Sequence, residues 1–307
     1  MKDYQRIITM YNDGAPMQHI TDKCMCCIGT VYNTINRYNV SHRGRVYFDK
    51  ASNSLASEII NRYLAFESRH SISKTMNIRV SIINRILKEN NVKPISYAKR
   101  INKELKEDYF EKIDNNEKAY WIGWLLTDGC ISKSNTISIT LSNRDRYILE
   151  LLQEDIGIKD RIKPFNGVYS RLSFCCKKMK NDLAKYGIIE NKTFVAHMPI
   201  INDALIPALL RGCFEGDGGI SKTNRNGKVE YELSFTGNLQ MVTAFNNMIS
   251  KQAKIKEKNI LKNHNIWRVR WSSNNELIKI LKILYNDDDR HHLLRKYNFL
   301  KEISNEV

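Results

Sequence analysis

Apolar positions follow two rhythms, and the change between them divides the chain. From Ala119 to Leu126 the residues are apolar almost all round, so a helix there must be buried on every side. The run Trp121-Ile122-Gly123-Trp124-Leu125-Leu126-Thr127-Asp128-Gly129 returns as Leu210-Arg211-Gly212-Cys213-Phe214-Glu215-Gly216-Asp217-Gly218. Each copy has Gly at its third residue and ends in Asp-Gly. The tails repeat as well, Cys130-Ile131-Ser132-Lys133-Ser134-Asn135 against Gly219-Ile220-Ser221-Lys222-Thr223-Asn224. This is an internal duplication. After each run the period drops to two: Thr136–Leu141, Val168–Cys175, Val229–Thr236 and Ile266–Trp271 alternate as half-buried strands do. Helical patterns lie between and after them, at Tyr147–Ile156, Met179–Tyr186, Leu239–Ile249 and Glu276–Tyr285. Each half reads helix, two strands, helix, two strands, helix. The predicted class is α+β, two pseudo-symmetric αββαββα halves at 117–203 and 204–307.

The first 92 residues carry two sets of helical patterns. Ile7, Ile8, Met10 and Tyr11 make an apolar face, broken at Asn12-Asp13-Gly14-Ala15-Pro16. Met17–Lys23 and Val31–Tyr38 give two further helices, the second with Thr30 as its expected N-cap. Residues 41–54 are polar and basic and read as a linker. The pattern starts again at Leu55–Leu64, Ser71–Ile78 and Arg79–Lys88. Both trios, 1–40 and 55–92, resemble helix-turn-helix units. Their last helices carry Asn33 and Arg37, and Arg79, Asn84 and Arg85, side chains whose geometry suits adenine and guanine edges. Residues 93–116 read as a charged connector.

Charge narrows the partner. With 49 Lys+Arg against 33 Asp+Glu the net charge is +16, which points to a polyanion. No stretch approaches the roughly 20 apolar residues of a membrane span, and the polar start is unlike a signal peptide. A cytoplasmic nucleic-acid-binding protein is the expectation. The seven cysteines lack zinc-site spacing and read as reduced thiols packed as small hydrophobes. His291 and His292, after Asp287-Asp288-Asp289, read as a solvated turn.

A Gly kept inside a helix costs about 1 kcal/mol against Ala and normally admits another backbone. The economical arrangement packs the two runs through Gly123 and Gly212, which sets Asp128 and Asp217 side by side. Paired carboxylates repel and raise each other's pKa unless a cation lies between them. Such an oxygen-rich site suits Mg²⁺, and a metal there serves phosphodiester hydrolysis.

With its two Gly-bearing runs ending in Asp128-Gly129 and Asp217-Gly218, the chain resembles the single-chain LAGLIDADG homing endonucleases over residues 115 to 300. The earlier acidic position of the motif is Leu126 in the first copy and Glu215 in the second, a position that serves packing. The resemblance implies metal binding by Asp128 and Asp217 with the carbonyls of Thr127 and Gly216. It implies catalytic basic residues at Lys192 and Lys296, just after the last helix of each half, and water-ordering residues at Asn143 and Asn238. It also implies antiparallel saddles whose open faces lie on DNA. Alternation puts Tyr169, Arg171 and Ser173 on that face, opposite Leu172 and Phe174, and Arg268 and Arg270 opposite Val269 and Trp271. Lys133 and Lys222, in the repeated tails, are expected on DNA too.

The resulting expectation is a site-specific endonuclease that makes a Mg²⁺-dependent double-strand break (Mn²⁺ as a substitute), leaving short 3′ overhangs. It would act as a monomeric pseudo-dimer on a long duplex site, intron-encoded or free-standing in a phage or bacterial genome. The alternatives are a non-cleaving transcription regulator on the same fold and an RNA-binding intron maturase. Intein splicing is not expected, for the chain starts without a Cys or Ser nucleophile and ends without His-Asn.

Overall fold

The computed structural model describes residues 4–15, 17–40, 53–225, 227–285 and 290–305. The chain divides after Pro94 into two compact units. In the N-terminal unit, α1 (Tyr4–Asn12), α2 (Met17–Lys23) and α3 (Ile28–Arg37) close over Ile7, Tyr11, Ile20, Val31 and Ile35. The second trio is α4 (Asn53–Leu64), α5 (Arg69–Met76) and α6 (Val80–Glu89). It buries Ile59, Tyr63, Ile72, Ile83, Ile86 and Leu87.

Both last helices follow a turn with one left-handed residue, Met25 at φ 44° and Asn77 at φ 50°. The turn after α4 is set by a charge-assisted fork: Arg62 Nε and Nη2 donate to the two Glu67 oxygens at 2.7 and 2.9 Å, and Ser71 Oγ donates to Glu67 at 2.7 Å. That pairing holds the Glu67 carboxyl below its usual range. Thr30 is not the N-cap expected for α3. The helix starts earlier, after Cys27, and Thr30 lies in its first turn with its hydroxyl 3.3 Å from Cys27 Sγ. The expected 41–54 linker lies outside the described residues up to 52, and α4 has begun by Asn53.

The second unit begins before the duplicated half. The stretch expected as a charged connector carries α7 (Tyr97–Ile101) and packs instead of spanning. Ala98, Leu105, Tyr109 and Phe110 are buried in the main core, while Lys99 and Lys106 turn their ammonium groups onto the carbonyls of Leu105 and Asp155. The basic residues sit between apolar ones at helix-turn spacing, so charge alone disguised a core segment.

The duplication follows as two copies of αββαββα. The first is α8 (Asn116–Thr127), β1 (Gly129–Ile131), β2 (Thr136–Ser142), α9 (Arg146–Asp155), β3 (Ile162–Phe165), β4 (Tyr169–Cys175) and α10 (Lys177–Ala184). The second is α11 (Ile206–Asp217), β5 (Gly218–Arg225), β6 (Lys228–Gly237), α12 (Leu239–Ala253), β7 (Leu261–Asn263), β8 (Ile266–Trp271) and α13 (Asn274–Leu284), followed by α14 (Leu294–Asn305). Each half has one antiparallel four-stranded sheet, ordered β1-β2-β4-β3 and β5-β6-β8-β7.

Alternation assigns the sheet faces. On β2, Ile137, Ile139 and Leu141 are buried, and Ser138, Thr140 and Ser142 face the other way. On β4, Leu172 and Phe174 point inward, opposite Tyr169, Arg171 and Ser173. Val269 and Trp271 are buried on β8, opposite Arg268 and Arg270.

The helix pair α8 and α11 is the centre of the unit. Every residue of α8 from Ala119 to Leu126 is buried. The two glycines are the contact itself. A Cβ on Gly123 would lie 2.4 Å from the Leu209 carbonyl oxygen, and one on Gly212 would lie 2.1 Å from that of Tyr120 and 3.1 Å from Gly123 Cα. Only glycine lets these backbones approach so closely.

Candidate active site

Both helices end at the same place. Asp128 caps α8, its amide donating to the Trp124 carbonyl at 2.9 Å, and Asp217 is the last residue of α11. Gly216 brings the ends together: a Cβ there would sit 2.1 Å from Thr127 Oγ1 and 3.4 Å from Asp128 Oδ2. The Asp128 carboxylate therefore lies against the backbone of the opposite helix.

The electrostatics agree with that geometry. Asp217 is pushed up to about 6, first by loss of solvation and then by the Asp128 charge, against the pull of Lys192 and Lys296. Asp128 is raised by loss of solvation, opposed by Lys296, Lys192 and Arg295. Both residues remain exposed, so the solvation lost is that of a recess rather than an interior.

Lys192 and Lys296 stand at the matching ends. Lys192 is 7 % exposed and donates to the carbonyls of Thr127 at 3.2 Å and Gly129 at 2.5 Å. Lys296 is 3 % exposed and donates to Phe214 at 2.7 Å, Glu215 at 2.9 Å and Gly218 at 2.5 Å. Each ammonium thus satisfies the orphan carbonyls at the C-terminus of its own half's central helix, where the dipole favours a cation. Burial lowers the pKa of both, and Arg295 adds to that at Lys296; the paired carboxylates oppose it. The two lysines sit on different supports: Lys192 opens a 3₁₀ turn ending at Phe194, whereas Lys296 lies in the first turn of α14.

The earlier acidic position has a structural job. Glu215 is 1 % exposed; it accepts from the Tyr120 hydroxyl at 2.6 Å and from the Leu293 amide at 2.7 Å. It joins α8 to the start of α14. Burial raises its carboxyl pKa.

Other expected site residues are placed differently. Asn143 donates to the Gly167 carbonyl and accepts from Ser170 Oγ, bracing the β3–β4 turn. Asn238 lines a cavity of about 310 Å³ beside Asp217. Its amide nitrogen donates to Thr193 and Ala196, and its oxygen caps α12 at Met241. Both asparagines thus have protein hydrogen-bond partners. Lys222 is on the inward-facing side of β5. Its register partner is the inward Tyr231, and it stacks over that ring and pairs with Glu302 on α14. Lys133 is exposed in the turn between β1 and β2. In the N-terminal unit Asn33, Arg37, Arg79, Asn84 and Arg85 are all exposed, with Asn84 accepting from Arg69 at 2.8 Å.

Two threonines were missed. Register carries Thr140 and Thr236 onto the open face beside the two ends, each opposite an arginine, Arg171 and Arg268. Thr236 Oγ1 donates to the Asp217 carbonyl at 3.0 Å. The signal was the phase of alternation, counted back from the Asp-Gly.

His291 also differs from expectation. It is 3 % exposed, and its Nε2 lies 2.6 Å from Asp155 Oδ2. With Glu117 these groups stand close enough to hold a metal ion. Asp155, however, already accepts from Trp121 Nε1 at 2.8 Å and from Arg290 at 2.6 Å, which leaves little lone-pair capacity for a cation. We read the trio as a buried brace. The neighbouring Asp287, Asp288 and Asp289 lie outside the described residues.

No protein-family model and no curated protein matches the sequence. Among solved structures the chain is similar to LAGLIDADG meganuclease I-AabMI bound to uncleaved DNA (TM-score 0.43, 13% identity, covering 62% of this chain and 90% of that one). It is similar also to LAGLIDADG meganuclease I-CpaMI bound to uncleaved DNA (TM-score 0.45, 11% identity, 63% and 92%). A third is I-SmaMI bound to an uncleaved DNA target with calcium ions (TM-score 0.44, 12% identity, 63% and 90%).

Proposed function

We propose that the chain is a site-specific DNA endonuclease of the LAGLIDADG type, hydrolysing one phosphodiester in each strand of a duplex. The observation that carries this reading is the paired Asp128 and Asp217, delivered by two glycine-packed helices with a buried lysine on each helix end. One chain supplies both carboxylates, so a single copy suffices for two cuts.

The donor set fits a hard divalent cation: two carboxylates in one recess, Asp217 raised first by lost solvation and then by the Asp128 charge, with peptide carbonyls beside them. Asp128 and Asp217, with the carbonyls of Thr127 and Gly216, are the residues that would hold Mg²⁺ or Mn²⁺. When bound, the ion supplies charge stabilisation and a nucleophile at neutral pH. Lys192 and Lys296 offset the carboxylate charge and act as buried positive charges toward developing phosphate charge, the three hydrogens of Lys296 Nζ being held by the carbonyls of Phe214, Glu215 and Gly218. The hydroxyls of Thr140 and Thr236, on the open face beside the aspartates, add polar groups to the site. The open sheet faces lie on the duplex. The exposed side chains of α3 and α6 extend contact with it, and a net charge of +16 supports phosphate binding.

The test is incubation of the full chain with a randomised duplex library and Mg²⁺, followed by sequencing of cut ends. Clustered ends with a fixed stagger support the nuclease. Enrichment of bound but uncut duplex indicates a regulator, and selective binding of structured RNA a maturase.

A further inference from the structure

The two sheets are built alike and furnished differently. On the open face of the first, β2 and β4 present Ser138, Thr140, Ser173 and Arg171. The guanidinium of Arg171 is turned onto its own sheet. Its Nε donates to Thr140 Oγ1 at 2.8 Å, and its carbon stands 3.5 Å from the centre of the Phe165 ring.

On the second, one carboxylate stands between two guanidiniums. Glu232 Oε1 accepts from Arg268 Nη2 at 3.1 Å, and Oε2 accepts from Arg270 Nη1 at 3.3 Å; Arg268 Nη2 also donates to Ser234 Oγ at 3.0 Å. Tyr231 and Leu233, on either side of Glu232, are buried. The carboxylate therefore belongs to the open face, and both arginines remain over a third exposed. A concavity of about 1030 Å³ runs over this face past Glu232 and Arg270.

A free arginine loses much rotamer entropy when it docks, and one already held by a carboxylate loses less. The planar fork of Arg270 matches the O6 and N7 acceptors of guanine in the major groove, whereas Arg268, with Nη2 on Glu232 and Ser234, offers Nη1 to a single guanine acceptor. Arg268 and Arg270 are two residues apart on one strand, roughly 6.7 Å, which is about two base-pair steps of about 3.4 Å each. Glu232 adds discrimination, because an acidic group facing DNA penalises any duplex that does not engage its two partners.

We infer that the sheet β5–β8 reads a pair of guanines about two base pairs apart through Arg268 and Arg270, with Glu232 as their positioning residue. The sheet β1–β4 reads its side of the duplex with hydroxyl contacts of lower specificity. The target is then asymmetric, with its sequence constraint concentrated in one half-site. This rests on the duplex-binding reading above.

The full chain is used to select bound molecules from a pool of randomised duplex DNA in EDTA, so that cutting plays no part. The expected result is a site with a guanine pair in one half-site and looser sequence at the mirrored positions. Arg268→Ala and Arg270→Ala should each remove the preference at one guanine, a loss on the order of 5- to 150-fold in discrimination. Glu232→Gln should weaken discrimination at both guanines together while binding of unselected duplex rises, since an acidic charge leaves the DNA face. A defined site without the guanine pair overturns this inference alone. So does a Glu232→Gln variant that loses affinity for selected and unselected DNA alike, which marks a merely structural residue. Enrichment of no duplex sequence at all overturns the DNA-binding reading and this inference with it.

Discussion

The Gly212→Ala substitution tests the helix pair most directly. Its added Cβ would stand 2.1 Å from the Tyr120 carbonyl oxygen, where an ordinary carbon contact is about 3.5 Å. Both sides of the clash are backbone, so no rotamer change relieves it, and α8 and α11 must part by about 1 Å or more. Overpacking of this kind costs about 3 kcal/mol at the upper end of its usual range. The better helix propensity of Ala returns about 1 kcal/mol. A net loss of about 2 kcal/mol lowers the Tm of a unit this size by roughly 4–8 °C. The same displacement moves Asp128 relative to Asp217, and about 1 Å at a reacting centre is worth on the order of 100-fold in rate. The assay is thermal unfolding together with single-turnover cleavage of a mapped site. Gly237→Ala is the stability control, because its Cβ would meet nothing closer than Met241 Cβ at 3.5 Å. A Gly212→Ala protein that melts with the wild type and cuts at its rate would refute the close approach and the role given to it.

Asp128→Asn and Asp217→Asn should each abolish double-strand cleavage and leave duplex binding within a few-fold, measured by gel shift in EDTA; undiminished cutting by either excludes its carboxylate from the chemistry. Asp217 has a folded pKa of about 6, above the ordinary Asp value of about 3.9, so the folded state binds the extra proton. It therefore destabilises the metal-free fold above pH 6, and the penalty fades as pH falls through 6 towards 4. Asp217→Asn in EDTA should melt above the wild type at pH 8 and with it near pH 4; the opposite trend would reject the assigned environment. A chain of residues 95–307 should fold, retain metal-dependent nicking, bind less tightly and show a shallower salt dependence than the full chain; an equal salt slope would leave the helical unit without phosphate contacts. Asp155→Asn should destabilise the protein by about 3 kcal/mol, as loss of one member of a buried ionic network does, equally with and without divalent metal; a cost that appears only with metal would make the Glu117–Asp155–His291 trio a binding site.

The sequence carried the parts of this fold in which pattern and environment agree. The apolar ring of α8 required burial on all sides, and its glycine required a second backbone; Gly212 is that backbone. The strict alternation of Tyr169–Cys175 fixed which face held Arg171. The face of Lys222 was not legible, because β5 has one apolar residue, Ile220, in eight and a shift of one residue inverts every side chain. Nor was the burial of His291, whose partner Asp155 lies 136 positions away in the chain. No local period encodes such a pairing. The core role of 95–116 was hidden for a third reason: Lys99 and Lys106 lie among its buried apolar residues while their ammonium groups find carbonyls.

The two buried lysines connect these unforeseen contacts. The turn that carries Lys192 closes the first half, and Asn238 of the second half ties it down at Thr193 and Ala196. The helix that carries Lys296 belongs to the second half, and the first half ties it down. Tyr147 accepts from the Leu294 amide at 2.6 Å, Arg295 pairs with Asp145 at 3.2 Å, and Asp155 holds His291 and Arg290 just before the helix begins. Each ammonium caps its own half's central helix but is aimed by the other half. The braces are not copies of one another, since one is an asparagine amide and the other is the tyrosine hydroxyl and two aspartates of the first half. The repeat supplies the Gly-packed helices and their aspartates twice, while the supports for the two lysines differ. Either half repeated as a symmetric dimer would therefore keep the carboxylates and lose the contacts that hold one kind of lysine segment. The site is a property of the two unlike halves together.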